Sequence, residues 1–185
     1  SATALKFTAL YRDRPAIADK DNAYVYFMGF AAAPDKDPQQ IGEQRLPWIR
    51  GHGDDPLSVE YNFKDIRRKD IQVLHDVCKD ATLACFDAME NGQATITEWL
   101  QSERWLLERY QTLLGKTGWL EIVPPDINTR LPIYSPVLEG QKLLFLKVWI
   151  MAKHKDGNVA RELLPRDIRF WRNGLATSDI LISKM

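Results

Sequence analysis

Side chains that could perform acid–base or metal chemistry are scattered along this sequence rather than gathered in a recognisable motif. The three histidines, His52, His75 and His154, are far apart and fall in a predicted loop, helix and turn. The chain lacks a phosphate-binding glycine loop, a dinucleotide-binding glycine pattern and the HExxH, CxxC and GxSxG motifs. The sequence therefore predicts no catalytic residue, no metal site and no cofactor.

Two groups of carboxylates have a spacing that could be functional, and each has a simpler structural explanation. The run Asp19-Lys20-Asp21-Asn22 is similar to part of a calcium loop but lacks the required Gly and terminal Glu. We interpret its aspartates as helix caps. Glu98 and Glu103 suggest a glycosidase pair, but on a helix a five-residue separation turns them away from each other.

The two cysteines, Cys78 and Cys85, are seven residues apart. On one continuous helix their Cα atoms would be about 10 Å apart, beyond the roughly 7 Å that a disulfide spans. A turn at 79–82, with Asp80 capping a new helix at Ala81, would bring them together. We favour this helix-corner disulfide, which implies an oxidising compartment, over the alternative of two buried free thiols.

Composition and charge are those of an ordinary globular domain. Hydrophobic residues make up 45% of the chain, and 25 basic residues balance 25 acidic ones. The densest basic cluster, 64–70, is short and contains aspartates, so we expect no nucleic-acid partner. The longest apolar run, Leu143–Ala152, is too short to span a bilayer, although an anchor could lie upstream of Ser1.

Hydrophobic periodicity and capping signals predict an all-α, multi-helix bundle with a solenoid-like helical hairpin at its C-terminal end. The chain is predicted to be a single helical domain over 1–185, with a possible division into 1–118 and 135–185 across a Pro-rich connection. The predicted helices are 22–33, 38–46, one that carries Cys78, 81–90, 95–114, 136–153 and 159–185. The predicted start signals are Asp19 or Asp21, Asp37-Pro38, Asp80, the capping box Thr95-Ile96-Thr97-Glu98, and Ser135-Pro136.

The last helical stretch has an apolar stripe and no capping residue at its end. We therefore expect the domain to continue beyond Met185, as a fragment of a longer chain. Either Ile182 and Met185, or Ile180 and Leu181, should then be exposed or buried against a second molecule. We single out Ile180, Leu181 and Met185 as possible partner contacts. The stripe is predicted to contain Ala160, Leu164, Ile168, Trp171, Leu175 and Ile182.

Six tryptophans are the most distinctive compositional feature. They are predicted to fill gaps between helices, and the alternative is an aromatic groove for a partner. Trp105 is off the main stripe of its helix, so we single it out, with Arg109, as a possible partner contact.

The last third of the chain resembles a tetratricopeptide-like hairpin. A helix over 141–152 leads into a Lys-Asp-Gly-Asn turn, and Val159-Ala160 opens a second helix. The resemblance implies an α-solenoid unit, which buries one face only by stacking on a neighbour.

Two further segments are similar to stretches of uncharacterised bacterial cell-envelope proteins. They are NAYVYFMGFAAAPDKDP at 22–38 and RDIRFWRNGLATSDILISKM at 166–185. This resemblance implies a membrane anchor upstream, an exported helical body and further sequence downstream. It favours a periplasmic or envelope-associated location, with a cytoplasmic one as the alternative.

The preferred function is a non-enzymatic, exported protein–protein interaction module. Its partner would be another protein or the remainder of its own chain. One alternative is an immunity-type antagonist of a secreted toxin. The other is part of an enzyme whose active site is completed beyond residue 185.

Overall fold

The computed structural model describes residues 16–51, 55, 74, 76–80, 82–122, 131–154 and 157–178. Within these ranges it contains eight α-helices, one 3₁₀ turn and no β-strand, which confirms the all-α prediction. The helices are α1 (Ala23–Met28), α2 (Pro38–Gln44), α3 (Leu46–Ile49), α4 (Leu83–Asn91), α5 (Gln93–Ser102), α6 (Arg104–Leu113), α7 (Ser135–Lys153) and α8 (Gly157–Thr177).

Helix α1 is apolar on every side, and all six of its residues are buried. Its cap is Asn22, whose Oδ1 accepts from the backbone N–H of Tyr24 at 3.0 Å and of Leu120 at 3.1 Å. The predicted caps Asp19 and Asp21 instead form the 3₁₀ turn before it. Asn22 therefore caps α1 and also ties it to the segment after α6.

The predicted helix over 22–33 is wrong at its C-terminal end, because α1 stops at Met28. From Met28 onwards, several carbonyl groups accept hydrogen bonds from two arginine side chains. Arg45 donates to the Met28 carbonyl, and Arg109 donates to carbonyls between Phe30 and Lys36. Side-chain donors thus satisfy buried backbone acceptors that a longer helix would have satisfied itself.

Helix α2 starts as predicted, since the Asp37 carboxylate accepts from the Gln39 N–H at 2.9 Å and Pro38 follows the cap. It packs against α1 at very short range. A Cβ on Gly42 would lie 1.9 Å from the Val25 carbonyl oxygen, and one on Gly29 would lie 2.0 Å from the Pro38 carbonyl oxygen. Only glycine at both positions allows these two backbones to touch.

The predicted capping box at 95–98 is wrong, and the predicted single helix over 95–114 is divided. Helix α5 already begins at Gln93, so Thr95 lies inside it. The division falls at Glu103, where the Ser102 hydroxyl donates to the Trp99 carbonyl at 3.1 Å. Serine bonds of this kind compete with the helical pattern.

Helices α7 and α8 pack against each other across a short connection and therefore form an antiparallel hairpin. Helix α7 ends at Lys153 as predicted, although Ser135 is its first residue rather than its cap. The buried side of α8 is defined by Ala160, Asp167 and Gly174. Small or hydrogen-bonded residues recur there every two turns, which lets α8 approach the core closely.

The predicted apolar stripe of the last helix is therefore partly wrong. Ile168 and Leu175, which the sequence assigns to the buried side, are exposed. Ala160 is buried as expected, and Trp171 packs against the core while remaining half-buried. Ile180, Leu181, Ile182 and Met185 lie outside the described residues.

One buried cluster joins residues from both sides of the Pro-rich connection. Trp119 lies near its centre, with ring centroids 5.4 Å from Phe27 and 6.0 Å from Trp171. The cluster also contains fully buried side chains of α1, α5, α6 and α7, namely Tyr24, Trp99, Tyr110 and Leu143. Among the described helices, none is both long and apolar enough to cross a bilayer.

Candidate functional site

The predicted disulfide is present. Cys78 and Cys85 are bonded, with their Cα atoms 4.6 Å apart, because the chain turns between them. The helix after the turn is capped by Thr82, whose hydroxyl accepts from the Cys85 N–H at 3.3 Å. The predicted cap, Asp80, is therefore wrong by two residues. The disulfide therefore closes a helix corner, as predicted, with a different capping residue.

We expect this disulfide to contribute measurably to stability. Replacing both cysteines by serine should lower the free energy of unfolding by about 2.5 kcal/mol, from the entropy of closing so short a loop. Urea unfolding followed by circular dichroism tests this. A reductant should lower the free energy of unfolding of the wild type to that of the double variant, and it should leave the value for the double variant unchanged. Equal stability of wild type and variant would contradict the prediction.

Arg109 has an internal structural role instead of the predicted partner contact. It is 5% exposed. Its Nη1 donates to the carbonyls of Phe30 (2.8 Å) and Ala32 (2.7 Å), and its Nη2 donates to those of Ala33 and Lys36 (both 3.0 Å). Burial lowers the pKa of this guanidinium. One side chain of α6 thus fixes the irregular segment that follows α1.

Trp105, the other predicted partner contact on α6, is half-buried against the core. Its Nε1 donates to the Glu103 carboxylate at 2.9 Å, and the Arg109 guanidinium lies 4.9 Å from its ring centroid. These contacts hold the indole in place. A contact between Trp105 and another protein stays a prediction.

A buried polar network joins α6, α7 and α8. The Tyr110 hydroxyl donates to Asp167 Oδ1, Gln141 Nε2 donates to Asp167 Oδ2 at 3.0 Å, and Trp171 Nε1 donates to the Tyr110 hydroxyl at 2.8 Å. Asp167 is only 3% exposed, so it is solvated by these protein donors rather than by bulk water. The network fixes the rotation of both hairpin helices relative to α6.

Two buried tyrosines titrate at unusually high pH. Burial, followed by the hydrogen bond to Asp167, raises the pKa of Tyr110, and burial raises the pKa of Tyr26 to about 12. Both are therefore neutral hydrogen-bond donors at neutral pH. The Tyr26 hydroxyl donates to the Arg109 carbonyl at 3.3 Å.

Four exposed apolar side chains lie on the hairpin at seven-residue intervals: Leu138 and Phe145 on α7, and Ile168 and Leu175 on α8. They are between 40% and 55% exposed. Residues seven apart share one side of a helix. We call these four residues the outer face.

The hydrogen bond between Gln141 of α7 and Asp167 of α8 marks where the two helices meet, and it shows that the exposed pair on α7 and the exposed pair on α8 lie on the same side of the hairpin. At about 100° per residue, Phe145 is rotated about 40° from Gln141, and Ile168 about 100° from Asp167. The two helices run antiparallel, so a rotation in the same sense from the contact point brings Phe145 and Ile168 to the same side of the hairpin. Gly140, which touches Tyr110 of α6, is rotated the opposite way, so the outer face is turned away from the core.

Sequence reasoning missed the outer face as a site. The available signal was the spacing itself, since Leu138 and Phe145 are separated by the same interval as Ile168 and Leu175. An apolar stripe in a sequence does not reveal whether a core or solvent covers it.

Within the described residues, no group of three or more His, Cys, Asp or Glu side chains is arranged to hold a metal ion. His52 and His75 lie outside the described residues, and His154 Nε2 lies 3.3 Å from Gln93 Nε2. Comparison with protein-family models, curated proteins and solved structures finds no match to this chain.

Proposed function

We propose that this chain is a non-enzymatic protein-binding module that receives an amphipathic helix on its outer face. The supporting observation is the exposure of Leu138, Phe145, Ile168 and Leu175 on one side of a hairpin whose other side is packed. Two adjacent helices form a shallow groove, and partner helices bind such grooves with apolar side chains at intervals of three, four and seven residues.

The charges beside the outer face favour a partner helix with acidic flanks. Arg161 and Arg172 are exposed on α8, rotated about 120° and 140° from Asp167, and so border the outer face. Neither forms an ion pair within the part of the chain that the structure describes. Complementary charge at a rim speeds association and selects partners.

The location that we propose is the bacterial periplasm or cell envelope. The disulfide between Cys78 and Cys85 supports it, because such bonds persist in oxidising compartments. A hairpin with one packed side and one apolar exposed side also agrees with a solenoid-like unit, whose outer surface receives a neighbouring helix.

Site-specific photocrosslinking tests the proposal. A benzoylphenylalanine at position 145 or 168 should give a discrete adduct with a different protein in intact cells. The same probe at Phe86, a somewhat more exposed aromatic position on α4, serves as the control and should give none.

A binding measurement then tests the adduct partner in purified form. Phe145→Asp should weaken its binding about 30-fold, since a central apolar contact contributes about 2 kcal/mol, whereas Phe86→Asp should leave it unchanged. Equal effects of the two variants would contradict the assignment of the outer face. An adduct consisting only of two copies of this chain would replace the proposed partner with a self-association surface.

A further inference from the structure

A cavity of about 210 Å³ lies between α8 and the segment that follows α6. The side chains that define it are Lys116, Trp119, Arg166, Arg169, Phe170 and Asn173. On α8 these residues are rotated to the side opposite Ile168 and Leu175. The cavity is therefore separate from the outer face.

Positive charge dominates this cavity although the chain has no net charge. Three of its lining residues are basic, and no acidic side chain is among the described residues that line it. Arg166 and Arg169 form no ion pair within the described ranges. Arg166 Nε donates to the Leu114 carbonyl at 3.4 Å, which leaves its two terminal nitrogens for a ligand. The guanidinium of Arg169, three residues later on the same helix, is also able to bind an oxyanion.

The third cation, Lys116, has a different orientation. Its Nζ donates to the Lys20 carbonyl at 2.7 Å and to the Gln39 side chain at 2.8 Å, which turns the ammonium group towards α2. It contributes a nearby positive charge rather than a direct contact. Gly115 leaves room for the Arg166 guanidinium, because a Cβ at position 115 would lie 2.9 Å from it.

Part of the cavity wall is aromatic. The rings of Trp119 and Phe170 meet edge to face with centroids 6.3 Å apart. Gly174 lets the indole lie close to α8, because a Cβ there would already be in van der Waals contact with the Trp119 ring at 3.6 Å. An apolar aromatic wall beside two arginines suits a ligand with one flat ring and one anionic group.

We propose that this cavity binds a small single-ring aromatic oxyanion, a carboxylate or a phosphate. Its volume is below the roughly 300–1,000 Å³ of sites for drug-sized ligands, which limits the occupant to about one ring and its charged group. The ring packs against Trp119 and Phe170. The oxyanion accepts hydrogen bonds from Arg166 and Arg169.

Titration of the isotope-labelled full chain with phenyl phosphate and with benzoate, followed by NMR, tests this proposal. We expect at least one of them to saturate with a Kd of about 0.1–1 mM and to shift amide signals of residues 114–119 and of α8. Phenol, which lacks the charge, and inorganic phosphate, which lacks the ring, should each bind at least about fivefold more weakly.

Matched arginine variants assign the site. Arg169→Gln should weaken binding about tenfold. Arg104→Gln, the same charge change at the end of α6 that lies about 15 Å along the helix axis from Leu114 and outside the cavity lining, should alter it less than about twofold. Both side chains are exposed, so both variants should keep the wild-type melting temperature. Equal weakening by the two variants, phosphate binding as tight as phenyl phosphate, or no saturable binding at about 10 mM would each overturn the proposal.

Discussion

Replacing Arg109 by methionine should lower the free energy of unfolding by about 4 kcal/mol. The side chain is buried, and its two terminal nitrogens satisfy four backbone carbonyls in the segment after α1. Methionine fills a similar volume but leaves the carbonyls of Phe30, Ala32 and Lys36 without their donor, at about 1–3 kcal/mol for each one that stays buried. The Ala33 carbonyl keeps its bond from the Lys36 N–H at 3.0 Å. Some carbonyls will regain water, which is why the expected loss is less than the full sum.

The matched control is Arg104→Met on the same helix. Arg104 is exposed and pairs with Glu108 one turn away, an interaction that contributes only about 0.5 kcal/mol. Urea unfolding of both variants separates a buried structural role from the general effect of removing an arginine from α6. A difference of less than about 1 kcal/mol between the variants would contradict the role assigned to Arg109.

Gly42→Ala should destabilise the protein by about 3 kcal/mol or more. A Cβ at this position would lie 1.9 Å from the Val25 carbonyl oxygen, which is backbone and cannot rotate away. Helix α1 is itself held by its Asn22 cap, so α2 must move outwards and lose packing. Overpacking of this kind typically costs about 1–3 kcal/mol, and a backbone clash lies at the upper end.

Gly157→Ala is the control for the glycine-to-alanine change itself. A Cβ on Gly157 would meet nothing within 4 Å, and the residue begins α8. We expect it to be neutral or to stabilise the protein by up to about 1 kcal/mol, from helix propensity. Thermal unfolding measured by calorimetry tests the pair. Similar melting temperatures for the two variants would refute the close α1–α2 contact.

The starts and ends of helices were predictable where a local signal acts alone. Asp37 followed by Pro38 combines a capping carboxylate with a residue that lacks the N–H a first turn leaves unused, and α2 begins there. The capping box at Thr95 was wrong although its residue types match, because the preceding residues from Gln93 were also free to be helical. A cap marks a helix start only where the chain before it cannot continue the helix.

The disulfide was predictable from chain geometry together with a local turn signal. Two cysteines seven residues apart on this chain can bond only if the helix is interrupted, and residues 79–82 favour a turn between them. Arg109 was not predictable in the same way. Its charge and its position on an amphipathic helix indicate a surface residue, and nothing in the sequence near it shows that carbonyls more than seventy residues earlier need a donor.

The sequence by itself determined the all-α class, the central apolar helix and the cysteine corner, because helical periodicity, apolar composition and chain geometry are local properties. The tertiary structure alone decided which side of α8 is buried. Asp167 and Gly174 face the core, since a hydrogen-bond network and a close aromatic contact accept them there, and Ile168 and Leu175 are left exposed. Which side of a helix is buried depends on the hydrogen-bond partners and the packing space that neighbouring elements provide. The local sequence pattern does not contain that information.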